Sequence, residues 1–74
     1  MNRQELEWAL RAFRDRRPYQ PFIVEFFSGD RLLVRHPEAM AFEGDLLVYT
    51  APGQPTSYRL FTAESVCQLL DKGA

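Results

Sequence analysis

Cysteine and histidine each occur once, as Cys67 and His36. A single thiol cannot close an intrachain disulfide. One thiol and one imidazole cannot complete a finger- or ribbon-type zinc site, so no metal is expected. No cofactor is expected either. Long apolar runs are also missing. The longest, Ala39–Phe42 and Leu46–Tyr49, hold four residues each, where a membrane helix needs about 20. The N-terminus shows no signal-peptide hydrophobic region, so the expected setting is reducing and cytoplasmic, with no membrane partner. Neither charge sign is in excess. A net charge of −1 and a pI near 5.7 disfavour a dedicated nucleic-acid binder, whose affinity would rest on neutralising phosphates. The chain is also short: 74 residues make one small domain and exclude doubly wound sheets and β/α barrels.

What is present is ordinary globular material, 46% hydrophobic and 26% charged, which excludes disorder as the starting assumption. Surface scaling suggests roughly 8,000 Å² buried on folding, ~60% of it apolar, worth about 115 kcal/mol of hydrophobic gain. Ordering the chain at ~1.5 kcal/mol per residue costs about 110 kcal/mol. The two nearly cancel. With disulfide and zinc excluded, the remaining sources of stability are an unusually tidy core or association with another chain, and a homo-oligomer or protein partner is expected.

Residues 2–16 read as a helix. Asn2 stands at the N-cap with Glu5 three residues on, an Asx form of the capping box. Leu6, Ala9, Leu10 and Phe13 recur at helical spacing as one apolar stripe. At 100° per residue Trp8 lies about 200° from Leu6 and points away from that stripe. Charge is concentrated here: Arg3, Arg11, Arg14, Arg16 and Arg17 face Glu5, Glu7 and Asp15 within residues 1–17. Arg3, Arg14 and Arg17 flank the stripe, whereas Arg11 falls on the outer side near Trp8. Pro18 and Pro21 end the helix near Arg16–Arg17.

From residue 22 to 61 the pattern is four to five short antiparallel strands. Phe22–Ser28 and Arg31–His36 are β-branched and aromatic, joined by a Ser28-Gly29-Asp30 hairpin loop whose glycine supplies a positive φ. Pro37 lacks an amide for a ladder and breaks the second strand. Ala39–Phe42 is a third strand, and Glu43-Gly44-Asp45 turns into a fourth, Leu46–Thr50. The loop Ala51-Pro52-Gly53-Gln54-Pro55 leads to Ser57–Phe61. Residues 62–70 begin as a helical turn, Thr62–Ser65, and continue as either a strand or a short helix, because Val66–Leu70 is too short for periodicity to decide. Alternation is poor. Phe22, Val24 and Phe26 oppose Ile23 and Phe27; Leu32 and Val34 oppose Leu33; Leu46 and Val48 oppose Leu47 and Tyr49. Strands apolar on both faces need cover on both: one face suits a barrel interior, the helix can cover part of the other, and the remainder is a candidate subunit interface.

The stretch Arg17-Pro18-Tyr19-Gln20-Pro21-Phe22, the Ser28-Gly29-Asp30-Arg31 hairpin and Val34-Arg35-His36-Pro37-Glu38 together resemble a group of short bacterial proteins of unknown function, marked by R-P-F-x-P-F, D-G-R and V-x-H-P-E motifs. Tyr19 stands where that group usually has Phe, and Gly29-Asp30 replaces Asp-Gly. The order of elements is more loosely similar to Sm-like proteins, an N-terminal helix followed by five short, bent strands. That resemblance implies a small open barrel, assembly through edge strands and RNA binding, but the Sm motifs, including an Arg-Gly pair near the last strands, are not present here. The expected fold class is therefore α+β: an N-terminal helix packed on a small, bent antiparallel sheet or open Sm/SH3-like barrel of about five strands.

His36 and Glu38 could pair as base and orienter. Pro37 interrupts the strand between them, and the simpler reading of His36-Pro37-Glu38 is a structural turn, with Glu38 accepting backbone amides and His36 packed at the rim. Cys67, lying between Val66 and Leu69, reads as a small core residue rather than a nucleophile. No catalytic residue is assigned. An outward Trp8 beside Arg11 has the composition of a protein-contact hot spot and also of a stacking platform for a nucleic-acid base. It could equally pack against a loop or the C-terminal tail. The expected function is a small non-enzymatic binding or assembly module that self-associates. The alternative is an Sm-like binder of RNA or single-stranded nucleic acid using Trp8 and the arginine-rich helix.

Overall fold

The computed structural model describes residues 1–50, 53 and 58–72, apart from the side chain of Pro37. Helix α1 runs Arg3–Arg14 and is capped as the spacing predicts: the Asn2 side chain accepts from the Glu5 amide and the Glu5 carboxylate from the Asn2 amide. It ends two residues before the expected Arg16, with the Asp15 amide donating to the Arg11 carbonyl. Arg16 instead turns back, donating to the Gln20 carbonyl and Asp71 with its guanidinium 4.7 Å from the Phe13 ring centroid.

Six strands follow: β1 (Phe22–Phe26), β2 (Arg31–Val34), β3 (Met40–Glu43), β4 (Leu46–Thr50), β5 (Tyr58–Thr62) and β6 (Val66–Asp71). They form two antiparallel three-stranded sheets, ordered β2-β1-β6 and β3-β4-β5. The fold is thus α+β, with an N-terminal helix and, among the described residues, six strands rather than about five. The sixth is the tail, which is a strand and not a helix because β1 offers it a full ladder, from Phe22 opposite Asp71 to Phe26 opposite Val66. Two 3-10 turns, Pro37–Ala39 and Ala63–Ser65, carry the chain from sheet to sheet. The expected loop at 51–55 lies outside the described residues apart from Gly53, whose φ is +76°.

Strand bounds shift where turns take residues from the ladder. β1 stops at Phe26, since the hairpin closes through Gly29 and Asp30 onto both backbone groups of Phe26, with Gly29 at φ +96°. Phe27 is thereby expelled from the strand. β2 stops at Val34, and Arg35 and His36 lead into the first 3-10 turn. β3 starts at Met40 rather than Ala39, which closes that turn by donating to the His36 carbonyl.

One core serves both sheets and the helix. Leu6 and Leu10 of α1 join Phe22, Val24, Phe26 and Val34 of the first sheet and Met40, Leu47 and Phe61 of the second in a single buried cluster. The helix therefore completes the interior instead of covering an outer face. Aromatic edges knit the parts: Phe13 lies 5.1 Å from Phe22, Tyr19 6.5 Å from Phe22, and Phe26 meets Phe61 edge-on at 5.0 Å. No buried polar or charged residue interrupts the core among the described residues.

The cap and the core make different contributions. Asn2→Ala is expected to lower unfolding free energy by about 1 kcal/mol, and Leu47→Ala by about 2–5 kcal/mol, since Leu47 is fully buried and leaves a cavity. Urea unfolding followed by circular dichroism measures both.

Candidate functional site

The His36-Pro37-Glu38 segment forms the first 3-10 turn, but not in the way expected. His36 and Glu38 are both exposed, and His36 makes no side-chain capping bond. Among the described residues Glu38 accepts no backbone amide; the turn closes through the backbone alone. Two exposed side chains flanking a turn have neither the enclosure nor the mutual hydrogen bond that base and orienter chemistry needs.

Cys67 is exposed, against the expectation of a core position. The cause is a register shift in the β1–β6 ladder: Glu25 pairs with Gln68 and Phe26 with Val66, so Cys67 has no partner across the strand. This bulge turns Cys67 and Gln68 both outward while Val66 stays fully buried. Among the described residues no group of three or more His, Cys, Asp or Glu could hold a metal ion.

Trp8 is 60% exposed, on the outer side of α1 as the helical wheel requires. Arg11 is exposed too, but its guanidinium lies 3.8 Å from the Glu7 carboxylate one turn back. Two more arginines of this segment, Arg3 and Arg16, are similarly engaged. Arg3 stands 3.6 Å from Asp45 and over Phe42, and Arg16 pairs with Asp71. The positive charge read along residues 1–17 is thus partly neutralised where it emerges.

The outer face of the first sheet carries a row of polar groups that satisfy one another. Glu25 accepts from the Gln68 amide at 2.8 Å and from Arg31 Nε at 3.0 Å. These two donors, Gln68 first, hold the Glu25 carboxyl below the usual carboxylate range. Tyr19 donates its hydroxyl to the Val34 carbonyl at 3.0 Å. Burial pushes its phenol above the ordinary value, an effect opposed by Arg16 and reinforced by Glu38. The phenol oxygen therefore ties the helix–strand linker to β2.

The less expected feature is apolar. Phe27 is 70% exposed, Tyr58 64%, Leu60 51% and Leu46 40%. Phe27 and Leu60 line one open groove of about 480 Å³, together with Phe26, Arg59, Phe61 and Glu64. Arg59 lies 4.5 Å from the Phe26 ring centroid and 4.0 Å from the Asp30 carboxylate. Sequence reading missed these residues, although one signal was available. Once Phe61 is assigned to the core, alternation along β5 sends Leu60 and Tyr58 outward.

Against protein-family models, curated proteins and solved structures, the chain matches none significantly. Among the described residues no helix is long and apolar enough to cross a membrane.

The Glu25 ladder generates a pH prediction. A carboxyl whose folded pKa is lowered stabilises above the unfolded pKa, and that contribution is lost as pH falls through the lower folded value. Glu25→Gln is expected to lower the melting temperature at neutral pH and to have little effect once the solution is acidic enough to protonate Glu25 in both states. Thermal melts of both proteins across the acid range give this comparison.

Proposed function

We propose that this protein is a non-enzymatic binding and assembly module that associates with copies of itself. The observation that carries this reading is the set of large apolar side chains, Phe27, Leu46, Tyr58 and Leu60, left 40–70% exposed on a domain whose core holds no buried polar residue among those described. Scattered apolar groups are normal on a surface, but here Phe27 and Leu60 line one groove. Leu46 and Tyr58 share the outward face of β4 and β5 with Leu60, and contiguous apolar surface of this kind marks an interaction site. Their exposure also fits a chain whose own burial scarcely offsets its ordering. An exposed lone thiol with no disulfide partner suits a reducing, cytoplasmic setting.

A second reading rests on Trp8. An indole 60% exposed beside Arg11 offers a stacking surface for a base of RNA or single-stranded DNA. The ion pairs of Arg3, Arg11 and Arg16 weaken it, because a phosphate would have to displace a carboxylate at each.

Light scattering and sedimentation at micromolar concentration test the first reading, with a mass above that of one chain expected. A well-folded monomer throughout would overturn it. The second reading predicts low-salt binding to single-stranded nucleic acid that Arg11→Glu and Arg14→Glu weaken; no binding at low salt removes it.

A further inference from the structure

Strand register places Ala41, Val48 and Leu60 side by side across β3, β4 and β5. Side-chain alternation puts Leu46 and Thr50 on the same face as Val48, and Tyr58 and Thr62 on the same face as Leu60. The opposite face, through Phe42, Leu47 and Phe61, looks into the core. Phe27 adjoins this face at the β5 edge, where it lines with Leu60 a groove that also holds Arg59, Phe61 and Glu64. Among the described residues on this face, the charged group is Glu43, at the margin opposite Leu46.

We propose that this outer face is a two-fold interface, on which a second copy of the chain packs through the same face with Leu60 at its centre. The proposal rests on the self-association reading and specifies its surface and symmetry.

Two observations select a second copy as the occupant. The first is charge. A two-fold contact sets one patch against itself, so a patch bearing like charges is repelled. The outer side of α1 brings Arg11 with Trp8. The outer face of the first sheet also has an apolar row, Leu33, Ile23 and Leu70. Its members are half-buried and lie beside Arg31, Glu25 and Gln68, whose hydrogen bonds to one another would have to survive desolvation. The β3-β4-β5 face has neither difficulty, with Val48 and Leu60 in its middle and threonines on either side. The second is area. A large side chain presents about 150–250 Å². With the exposed fractions of Phe27, Tyr58, Leu60 and Leu46, the four contribute roughly 340–560 Å² of largely apolar surface. A standard interface buries about 800 Å² per partner, a little over half of it non-polar. The face therefore supplies the apolar share of one such contact.

The edge of β5 is a poorer alternative. Arg59 is drawn across Phe26 and toward Asp30, a charged group on an edge strand of the kind that discourages strand-to-strand pairing.

Light scattering on the wild-type chain, Leu60→Glu and Trp8→Ala tests the proposal, with circular dichroism confirming the fold of each. A dimeric wild type, a Leu60→Glu dimer weakened at least roughly tenfold by two charges on the axis, and an unaffected Trp8→Ala dimer are expected. A second arm uses Leu60→Cys in a Cys67→Ser background with an added thiol oxidant. Two thiols at the axis should join as a covalent dimer, and this arm decides the matter if Leu60→Glu fails to fold. A dimer that survives Leu60→Glu, or that forms without cross-linking through position 60, overturns the face while leaving self-association standing. A wild-type monomer overturns both.

Discussion

The ring of Phe22 joins every part of the first half of the chain. It is fully buried, faces Phe13 of the helix and Tyr19 of the linker, and begins the central strand that pairs with both β2 and β6. The linker is held down by the Tyr19 hydroxyl on Val34, the residue opposite Phe22. The helix end returns through Arg16 to Asp71, on the other flank of Phe22. The second sheet then reaches this centre through Phe26 and Phe61. A change at Phe22 would loosen the helix, the linker and the first sheet together.

A second constraint is arithmetic in kind. Two small sheets have four faces, and one core closes two of them. Because Leu6 and Leu10 enter that same core, the helix leaves the outer faces to be resolved some other way. One face does so internally, by bonding Glu25 to Gln68 and Arg31. The other carries Val48 and Leu60 in its middle and has no comparable ladder. The two outer faces thus differ: one sets a half-buried row of Leu33, Ile23 and Leu70 beside a bonded polar ladder, and the other leaves Leu46, Tyr58 and Leu60 exposed.

The helix and hairpin were legible because their signals are local. Asn2 and Glu5 specify a cap by spacing alone, and Gly29 marks the turn by its conformational freedom. The inward and outward assignment of the strands was not legible, because residues such as Ile23, Leu33 and Leu60 are apolar on the outer faces and erase the alternation. Cys67 failed for a related reason: a bulge advances the register by one residue, and nothing between Val66 and Leu69 announces it. The tail was ambiguous until β1 was seen to need a second neighbour. Trp8 and Arg11 were placed on the outside correctly by the helical wheel, but the carboxylate of Glu7 beside Arg11 alters what that pair can do.

The adjacency of β1 and β6 also sets the order in which the molecule can be made. Two hairpins, β1 with β2 and β3 with β4, close over short turns and can form early. The ladder from Phe22–Asp71 to Phe26–Val66 joins segments separated by most of the chain, so its loop-closure entropy is met before its contacts stabilise anything. The central strand of the first sheet therefore remains an edge until the last strand arrives. Loss of that tail would not trim the domain but leave β1 with an open hydrogen-bonding side, ready to accept a strand from elsewhere.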